Sequence, residues 1–261
     1  MTSASGLPLE LAGRKGTGLA ALGYMRYDLV KVFRNRRYFV FSLGFPLVLY
    51  LVIAGSNHHA SFYGVPLRVY YLTGMVSWGS MNAVTSGGGL ISLERSVGWT
   101  RQLRITPLPA WAYIASKVVR GYVTACVVVV ALYVAAVALG AHLQAGGWLI
   151  MTGLVLIGLA PFAALGIALG HTLRPDSLGP ALGGVSALFA LLGGAWGPIA
   201  GNGGTFFDVV KLLPSYWLVQ AGEAGLTQSA WPLEGWLVVA VWAAVLSWAA
   251  VAVYRRDSAR P

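Results

Sequence analysis

The sequence predicts an all-α membrane protein with six transmembrane helices. Of its 261 residues, 57% are apolar and only 10% are charged, whereas soluble domains carry about 25% charged residues. The mean hydropathy is +0.70. Six segments approach or exceed the roughly 20 apolar residues that a helix needs to cross a bilayer, and they leave no solvated face for a soluble helical core. These segments are Tyr38–Ser56, Val69–Leu93, Val118–Leu139, Gly147–Gly170, Leu178–Ala200 and Gly235–Tyr254.

The basic residues predict the orientation of these spans. With six spans, all 18 lysines and arginines except Arg68 and Lys211 fall on one side, and the positive-inside rule makes that side the cytoplasm. We therefore expect residues 1–37 to be a cytoplasmic N-terminal segment, residues 38–254 the six-span domain, and residues 255–261 a cytoplasmic tail. The excess of Arg over Lys suggests a bacterium, and hence its cytoplasmic (inner) membrane. The net charge of +10 is thus explained without a nucleic-acid partner.

The N-terminal segment is expected to contain an amphipathic helix. Leu22, Met25, Leu29 and Phe33 recur at helical spacing within residues 19–37, with basic residues elsewhere on the helix. Such a helix lies in the interface of the cytoplasmic leaflet and contacts membrane lipid. A solvated basic tail is the alternative.

Two features interrupt the apolar runs. Arg120 is the only formal charge inside a predicted span, and we expect it to snorkel to the interface because it lies near the start of that span. Residues 201–234 are partly apolar and predict two short helices broken at Pro214, which dip into the outer leaflet as re-entrant helices before the last span.

Glycines recur at spacings that permit close helix packing. Gly166 and Gly170 are one such pair, and Gly179 and Gly183 are another. Packing within one chain and packing between two subunits remain alternatives. The run Gly87–Gly89 predicts either a bend or a close helix contact.

Several classes of chemistry are disfavoured. No Asp or Glu lies inside a predicted span, which argues against a proton antiporter and against paired-carboxylate catalysis. No lysine follows a glycine as a phosphate-binding loop requires, so we expect ATP and Mg to bind a separate chain. We predict no metal site and no cofactor on this chain, because none of the histidines has a partner at ligand spacing and all are expected in loops or interfaces. The histidines are His58, His59, His142 and His171.

The stretch LERSVGWTRQLRITP, residues 93–107, is a charged island between two apolar runs. A solvated loop has no need of Trp99, Leu103 and Ile105, so we expect a short helix that docks onto another protein. Trp99 and Arg104 are the expected anchors, since aromatic and Arg side chains dominate interface energies. Glu94 is expected to pair with a cation of the partner or with Arg101.

This island resembles the first cytoplasmic loop of ABC-2 type transporter permeases, and in particular the daunorubicin-resistance branch of drug exporters. The shared pattern is E-R-x-x-G-[TW]-x-x-x-L-R-[IVL]-T-P-L. It is matched here by Glu94, Arg95, Gly98, Trp99, Leu103, Arg104, Thr106, Pro107 and Leu108. Val97 and Trp99 depart from the acid and the threonine that the family more often shows. The resemblance extends to the basic start, the six spans and the helical segment before the last span.

The resemblance implies a half-transporter. Two permeases, identical or paralogous, would pair, and each would seat the island as a coupling helix in a groove of a cytoplasmic ABC ATPase subunit, present in two copies. ATP-driven closure of the ATPase pair would then move the coupling helices. The coupling residues implied are Glu94, Arg95, Gly98, Trp99, Arg101, Leu103, Arg104, Thr106 and Pro107.

The resemblance also implies export, as in antibiotic efflux, of an amphipathic drug, natural product or lipid-like molecule. Export of a lipid-linked glycan or cell-envelope lipid is the alternative, and an intramembrane lipid-modifying enzyme or a non-transporting sensor are alternatives of other classes. Trp78, Asn82 and Thr85 share one helical stripe that mixes an aromatic with polar groups, as a pathway for amphipathic molecules requires; interhelical hydrogen bonding is the competing explanation. The predicted path residues are Phe41, Phe45, Trp78, Asn82, Thr85, Phe189 and Trp196.

Overall fold

The structure is a computed structural model that describes residues 9–34, 40–56, 61–62, 65–106, 108–197 and 204–258. The all-α prediction is confirmed; the only strands described are two residues each, Ser61–Phe62 (β1) and Val65–Pro66 (β2), which pair antiparallel. A π-helical turn, Val40–Gly44, leads into α2. The α-helices are α1 Leu9–Arg34, α2 Phe45–Ser56, α3 Leu67–Ser96, α4 Trp99–Arg104, α5 Ala110–Ala138, α6 Ala145–Gly158, α7 Ala160–Thr172, α8 Pro175–Gly193, α9 Thr205–Lys211, α10 Pro214–Thr227 and α11 Leu233–Ser258.

Among the described residues, four helical segments are long and apolar enough to cross a membrane. They are Ala110–Ala138, Ala145–Thr172, Pro175–Gly193 and Leu233–Asp257. They correspond to the third to sixth predicted spans. The fourth consists of α6 and α7, which meet at Leu159 just before Pro161. The fifth ends at Gly193, before the predicted Ala200, because Gly194 adopts a left-handed conformation that terminates the helix.

The first two predicted spans are not among these four segments. The first falls on the π-helical turn and the short helix α2, and Tyr38 lies outside the described residues. The second lies within α3, whose many Gly, Ser and Thr residues lower its hydropathy. Most of α3 is buried, and it packs against α2, α5, α7, α8 and α10, so it is the central helix of the bundle.

Three consecutive glycines allow α3 to occupy this central position. A Cβ at Gly87 would lie 3.0 Å from the Cα of Gly121 on α5, one at Gly88 would clash with the backbone of Ile167 on α7, and one at Gly89 would lie 2.9 Å from Leu182 on α8. Each glycine therefore faces a different helix, and the run serves close packing within a continuous helix.

The glycines at four-residue spacing differ between helices. Added side chains at Gly166 and Gly170 would clash with the backbone of α3, so this pair brings α7 onto α3 within one chain. Gly179 and Gly183 on α8 have no neighbouring atom within 4 Å. Packing within the chain is thus confirmed for the first pair.

The segment before the last helix forms two helices that are separated near Pro214, as predicted. Helix α9 exposes Phe206 and Val209. Helix α10 instead packs into the bundle, with Gly222 against Thr73 on α3. Half of this segment is therefore part of the protein core.

Helices α1 and α11 lie at the periphery. Helix α1 packs on α5 and buries Ala21 and Val32, whereas Leu22 and Phe33 of its predicted apolar stripe are exposed. Helix α11 packs mainly on α7 and exposes an apolar face that includes Trp248. Both leave apolar surface for lipid.

Candidate functional site

The charged island begins where α3 ends. Its residues do not form one continuous helix, because the backbone breaks after Ser96 and Gly98 adopts φ 73° before α4 starts at Trp99. The carbonyl of Gly98 accepts hydrogen bonds from the backbone N–H groups of Arg101 and Gln102. A left-handed backbone favours glycine, so Gly98 fixes the direction of the segment that follows. We call residues 97–106 the arm.

A group of buried charges holds the base of the arm. The Lys117 ammonium, which has no exposed surface, donates to Glu94 Oε1 at 2.7 Å and to both oxygens of Asp28 at 3.1 Å. Arg120 Nη1 reaches Asp28 Oδ1 at 3.3 Å, and the Tyr113 hydroxyl donates to Glu94 Oε2 at 2.8 Å. We call Asp28, Glu94, Lys117 and Arg120 the buried ion cluster. It joins α1, α3 and α5.

Two predictions about these residues are therefore wrong. Arg120 does not snorkel, because its guanidinium is buried against a carboxylate of α1. Glu94 pairs inside the chain with Lys117, neither with a partner's cation nor with Arg101. Buried charges are costly unless each carboxylate has well-placed donors, and both carboxylates here receive at least two.

Trp99 is also engaged within the chain. Its ring stacks on Tyr27 of α1 with centroids 6.5 Å apart, and its Nε1 donates to the Tyr24 hydroxyl at 3.4 Å. Burial raises the pKa of Tyr24 well above its usual value, so this phenol stays neutral beside the ion cluster. Trp99 thus ties α4 to α1, which leaves its predicted role as an anchor for a partner without support from the geometry.

Arg95 links the base of the arm to two other helices. Its Nη2 lies 2.6 Å from Asp257 Oδ1 on α11, and its Nη1 donates to the carbonyl of His171 at the end of α7 at 2.5 Å. His171 itself is buried and meets Tyr254 edge to face. Of the two positions expected for His171, a loop is wrong, because it lies in the last turn of α7; a position at the membrane interface stays a prediction.

The opposite face of the arm is exposed. Val97 is 75% exposed and Ile105 89%, while Arg101, Gln102 and Thr106 are also exposed. Leu103 is half-buried and packs toward Tyr113. The side chain of Arg104 and the whole of Pro107 lie outside the described residues. The described outer surface of the arm is therefore a mixed apolar and polar face.

The predicted path residues separate into two groups. Phe45 meets Trp78 edge to face at 5.3 Å, and Trp78 meets Trp196 at 5.4 Å, so three aromatics from α2, α3 and the end of α8 form one cluster. Trp78 Nε1 donates to Ser186 Oγ at 3.1 Å. The side chain of Phe41 lies outside the described residues.

The remaining path residues lie apart from this cluster. Thr85 is buried and donates to the carbonyl of Met81, and its backbone contacts Gly166, so it belongs to the contact between α3 and α7. Phe189 packs edge to face on Phe162. Asn82 is half-buried.

Sequence reasoning missed Asp28, Tyr113 and the inward role of Lys117. A signal was present, because Lys117 and Arg120 lie three residues apart at the start of an apolar helix and so share one face. With only 8 acidic residues in the chain, the acids that could pair with that face were few.

Comparison with known protein families gives a match that covers most of the chain. The profile of the ABC-2 type transporter family matches residues 23–226, from α1 to α10 and including the arm. The chain belongs to the ABC-2 type transporter family. It is also 26% identical over 192 residues to the "Putative transport permease YvfS" of Bacillus subtilis (strain 168), which covers 72% of this chain and 78% of that protein. It is therefore a multi-pass ABC-2 permease, and membership of the family implies an ABC ATPase partner.

Proposed function

We propose that this ABC-2 permease is the six-span subunit of an ATP-driven exporter. The 30 residues of α3 give a length of about 45 Å, enough to cross the bilayer and protrude. The π-helical turn and α2 supply the remaining span, and Pro46 at its start is packed against Gly79 of α3. All charges of α3 lie at its two ends, which is consistent with a spanning helix in contact mainly with protein.

The orientation can be tested by labelling cysteines in intact cells. After replacement of the exposed Cys126 by serine, cysteines at Ser56, Gly146 and Thr227 should react with an impermeant reagent, whereas one at Ser96 should react only after lysis. The three outer positions are exposed. Labelling of the Ser96 position from outside would overturn the arrangement. Gly222 is unsuitable, because a side chain there would clash with Thr73.

The observation that carries the coupling proposal is the two-sided arm. The arm extends from the end of α3, which ion pairs of Glu94, Lys117 and Arg95 join to α1, α5 and α11 and a hydrogen bond of Arg95 joins to α7. The outer side of the arm exposes Val97, Arg101 and Ile105. A force applied to the outer face would therefore reach four helices. This is what a lever between an ATPase and a substrate path requires.

Coupling can be tested with the complex. An affinity-tagged chain should co-purify with an ABC ATPase from its native cells, and the complex in liposomes should hydrolyse ATP faster when substrate is present. The permease alone should not hydrolyse ATP, since none of its lysines follows a glycine in a phosphate-binding loop. Recovery of an intact permease without any ABC ATPase would overturn the proposal.

For the substrate we propose an amphipathic drug, natural product or lipid-like molecule. The supporting observation is the aromatic cluster Phe45, Trp78 and Trp196, of which Phe45 and Trp196 are exposed. Aromatic surface with a few polar groups suits such molecules. The second permease of the transporter would cover this surface and complete the path.

The substrate proposal predicts a specific loss. Trp196→Ala should reduce substrate stimulation of ATP hydrolysis while the basal rate persists, whereas Trp248→Ala, an exposed tryptophan on α11, should change neither. Stimulation of the parent complex by a lipid-linked glycan but by no drug would favour the alternative, export of an envelope component. Unchanged stimulation in Trp196→Ala would remove the cluster from the path.

A further inference from the structure

A groove runs between α1 and the last turns of α3. Its volume is about 610 Å³, and its walls include Val30, Lys31 and Arg34 on α1, Leu93 on α3 and Val97, the first residue of the arm. On α1, Arg34 lies three positions after Lys31 and four after Val30, so these residues lie on one side of the helix. Val97 follows Leu93 by four positions. Glu94 and Arg120 of the buried ion cluster also line the groove, which lies immediately before the break at Gly98.

The charges of the groove favour an anion. At its base, Arg120 pairs with Asp28, and Glu94 pairs with Lys117, so the two acids and the two bases balance. Lys31 and Arg34 at the rim are exposed, and neither forms an ion pair with an acid of the described residues. The rim therefore carries two uncompensated positive charges.

The walls favour a ligand that also has an apolar part. Val30 is 48% exposed, Leu93 42% and Val97 75%, so apolar surface continues from the cationic rim along α3. A free phosphate would use only the rim. An anionic phospholipid would use both, with its phosphate at Lys31 and Arg34 and its first acyl carbons along Val30, Leu93 and Val97.

We infer that this groove binds an anionic phospholipid of the cytoplasmic leaflet. This inference rests on the proposed function in one respect, that α1 lies at the cytoplasmic leaflet. The lipid would join α1 to α3 next to the arm. The lipid composition of the membrane would thereby influence the position of the arm.

Native mass spectrometry of the delipidated permease, without any ATPase, tests the inference. We expect phosphatidylglycerol to bind more tightly than phosphatidylcholine with the same acyl chains. Lys31→Gln with Arg34→Gln should weaken phosphatidylglycerol binding by roughly tenfold or more, because each basic residue near an anionic headgroup contributes severalfold to affinity. The control, Arg255→Gln with Arg256→Gln, removes the same charge from exposed arginines at the end of α11 and should leave this affinity unchanged.

Three results would overturn the inference. Equal loss of binding in the control pair would mean that only net charge matters. Glycerol phosphate binding as tightly as phosphatidylglycerol would mean that the apolar wall has no role. Equal affinity for the zwitterionic and anionic lipids would mean that the rim cations do not select the headgroup. Since the assay contains no ATPase and no transported substrate, its failure leaves the export proposal to its own experiments.

Discussion

The base of the arm and its outer surface place charged residues in opposite environments. Glu94 is almost fully buried between Lys117 and Tyr113, while Arg101, seven residues later, is exposed. The buried charges connect helices of this chain, whereas the exposed ones have no such neighbours among the described residues. Charge in this stretch thus serves the fold on one side and is available to a partner on the other. Four variants test this difference between the base of the arm and its outer surface, beginning with the largest expected change in stability.

Lys117→Met should have the largest effect. It leaves Glu94 and Asp28 buried with one cation fewer, and breaking a buried ion pair costs about 3–5 kcal/mol. We expect low yield and a much lower unfolding temperature in detergent. Adding Glu94→Gln should restore part of the loss, because Asp28 keeps Arg120. Arg101→Met is the matched control and should unfold like the parent; a Lys117→Met protein that also does so would show that the cluster is not structural.

Gly98→Ala should have an intermediate effect. No atom lies within 4 Å of the added Cβ, so the cost comes from the backbone at φ 73° and should be about 1–2 kcal/mol. Gly183→Ala on α8 also meets no neighbour but has a helical backbone, and it should be neutral or slightly stabilising. Because an added Cβ is uncrowded at both positions, the difference in thermal unfolding between the two variants measures the backbone strain at Gly98. Equal melting of the two would mean that the turn does not constrain the arm.

Arg95→Lys should have a smaller effect. It keeps the charge but removes the planar fork that contacts Asp257 and the His171 carbonyl. We expect a loss of about 1 kcal/mol, since the ion pair is partly exposed. Arg255→Lys, at an exposed position without an ion pair in the described part of the chain, should be silent. If Arg95→Lys were equally silent, Arg95 would act only as a positive charge that orients the helix.

Arg101→Ala with Ile105→Ala should have the smallest effect on stability, below about 0.5 kcal/mol, because both side chains are exposed. The same pair should weaken co-purification with the ABC ATPase and uncouple hydrolysis from transport, since interface energy is concentrated in a few side chains. Arg255→Ala with Leu237→Ala removes a similar exposed pair from α11. Normal assembly and transport by the arm variant would place the docking surface elsewhere.

Apolar length and charge distribution predicted much of the fold before any contact was known. The third to sixth spans follow from composition, because an apolar helix without charges has few alternatives to the bilayer. The same length rule predicted a second span, which lies within α3, but it did not predict that this helix is central. Gly, Ser and Thr make α3 less hydropathic than α11, and only the packing shows that these residues face other helices rather than lipid.

The candidate site was predicted in outline and wrong in its contacts. The motif located the arm and included Gly98, at which the chain turns. Trp99 and Glu94 were assigned to a partner because a local sequence does not reveal a neighbour that is distant along the chain. Asp28 precedes Lys117 by 89 residues, and only the approach of α1 to α5 brings them together.

The sequence by itself determined an all-α membrane protein, because bilayer thickness and the cost of charge in hydrocarbon act on each segment independently. It also determined the place of the arm, through a motif contained in 15 consecutive residues. Only the tertiary structure decided which charges are buried, which aromatics meet and which side of the arm is free. These depend on contacts between distant helices, set at α3 by glycines whose missing side chains allow three neighbours to approach.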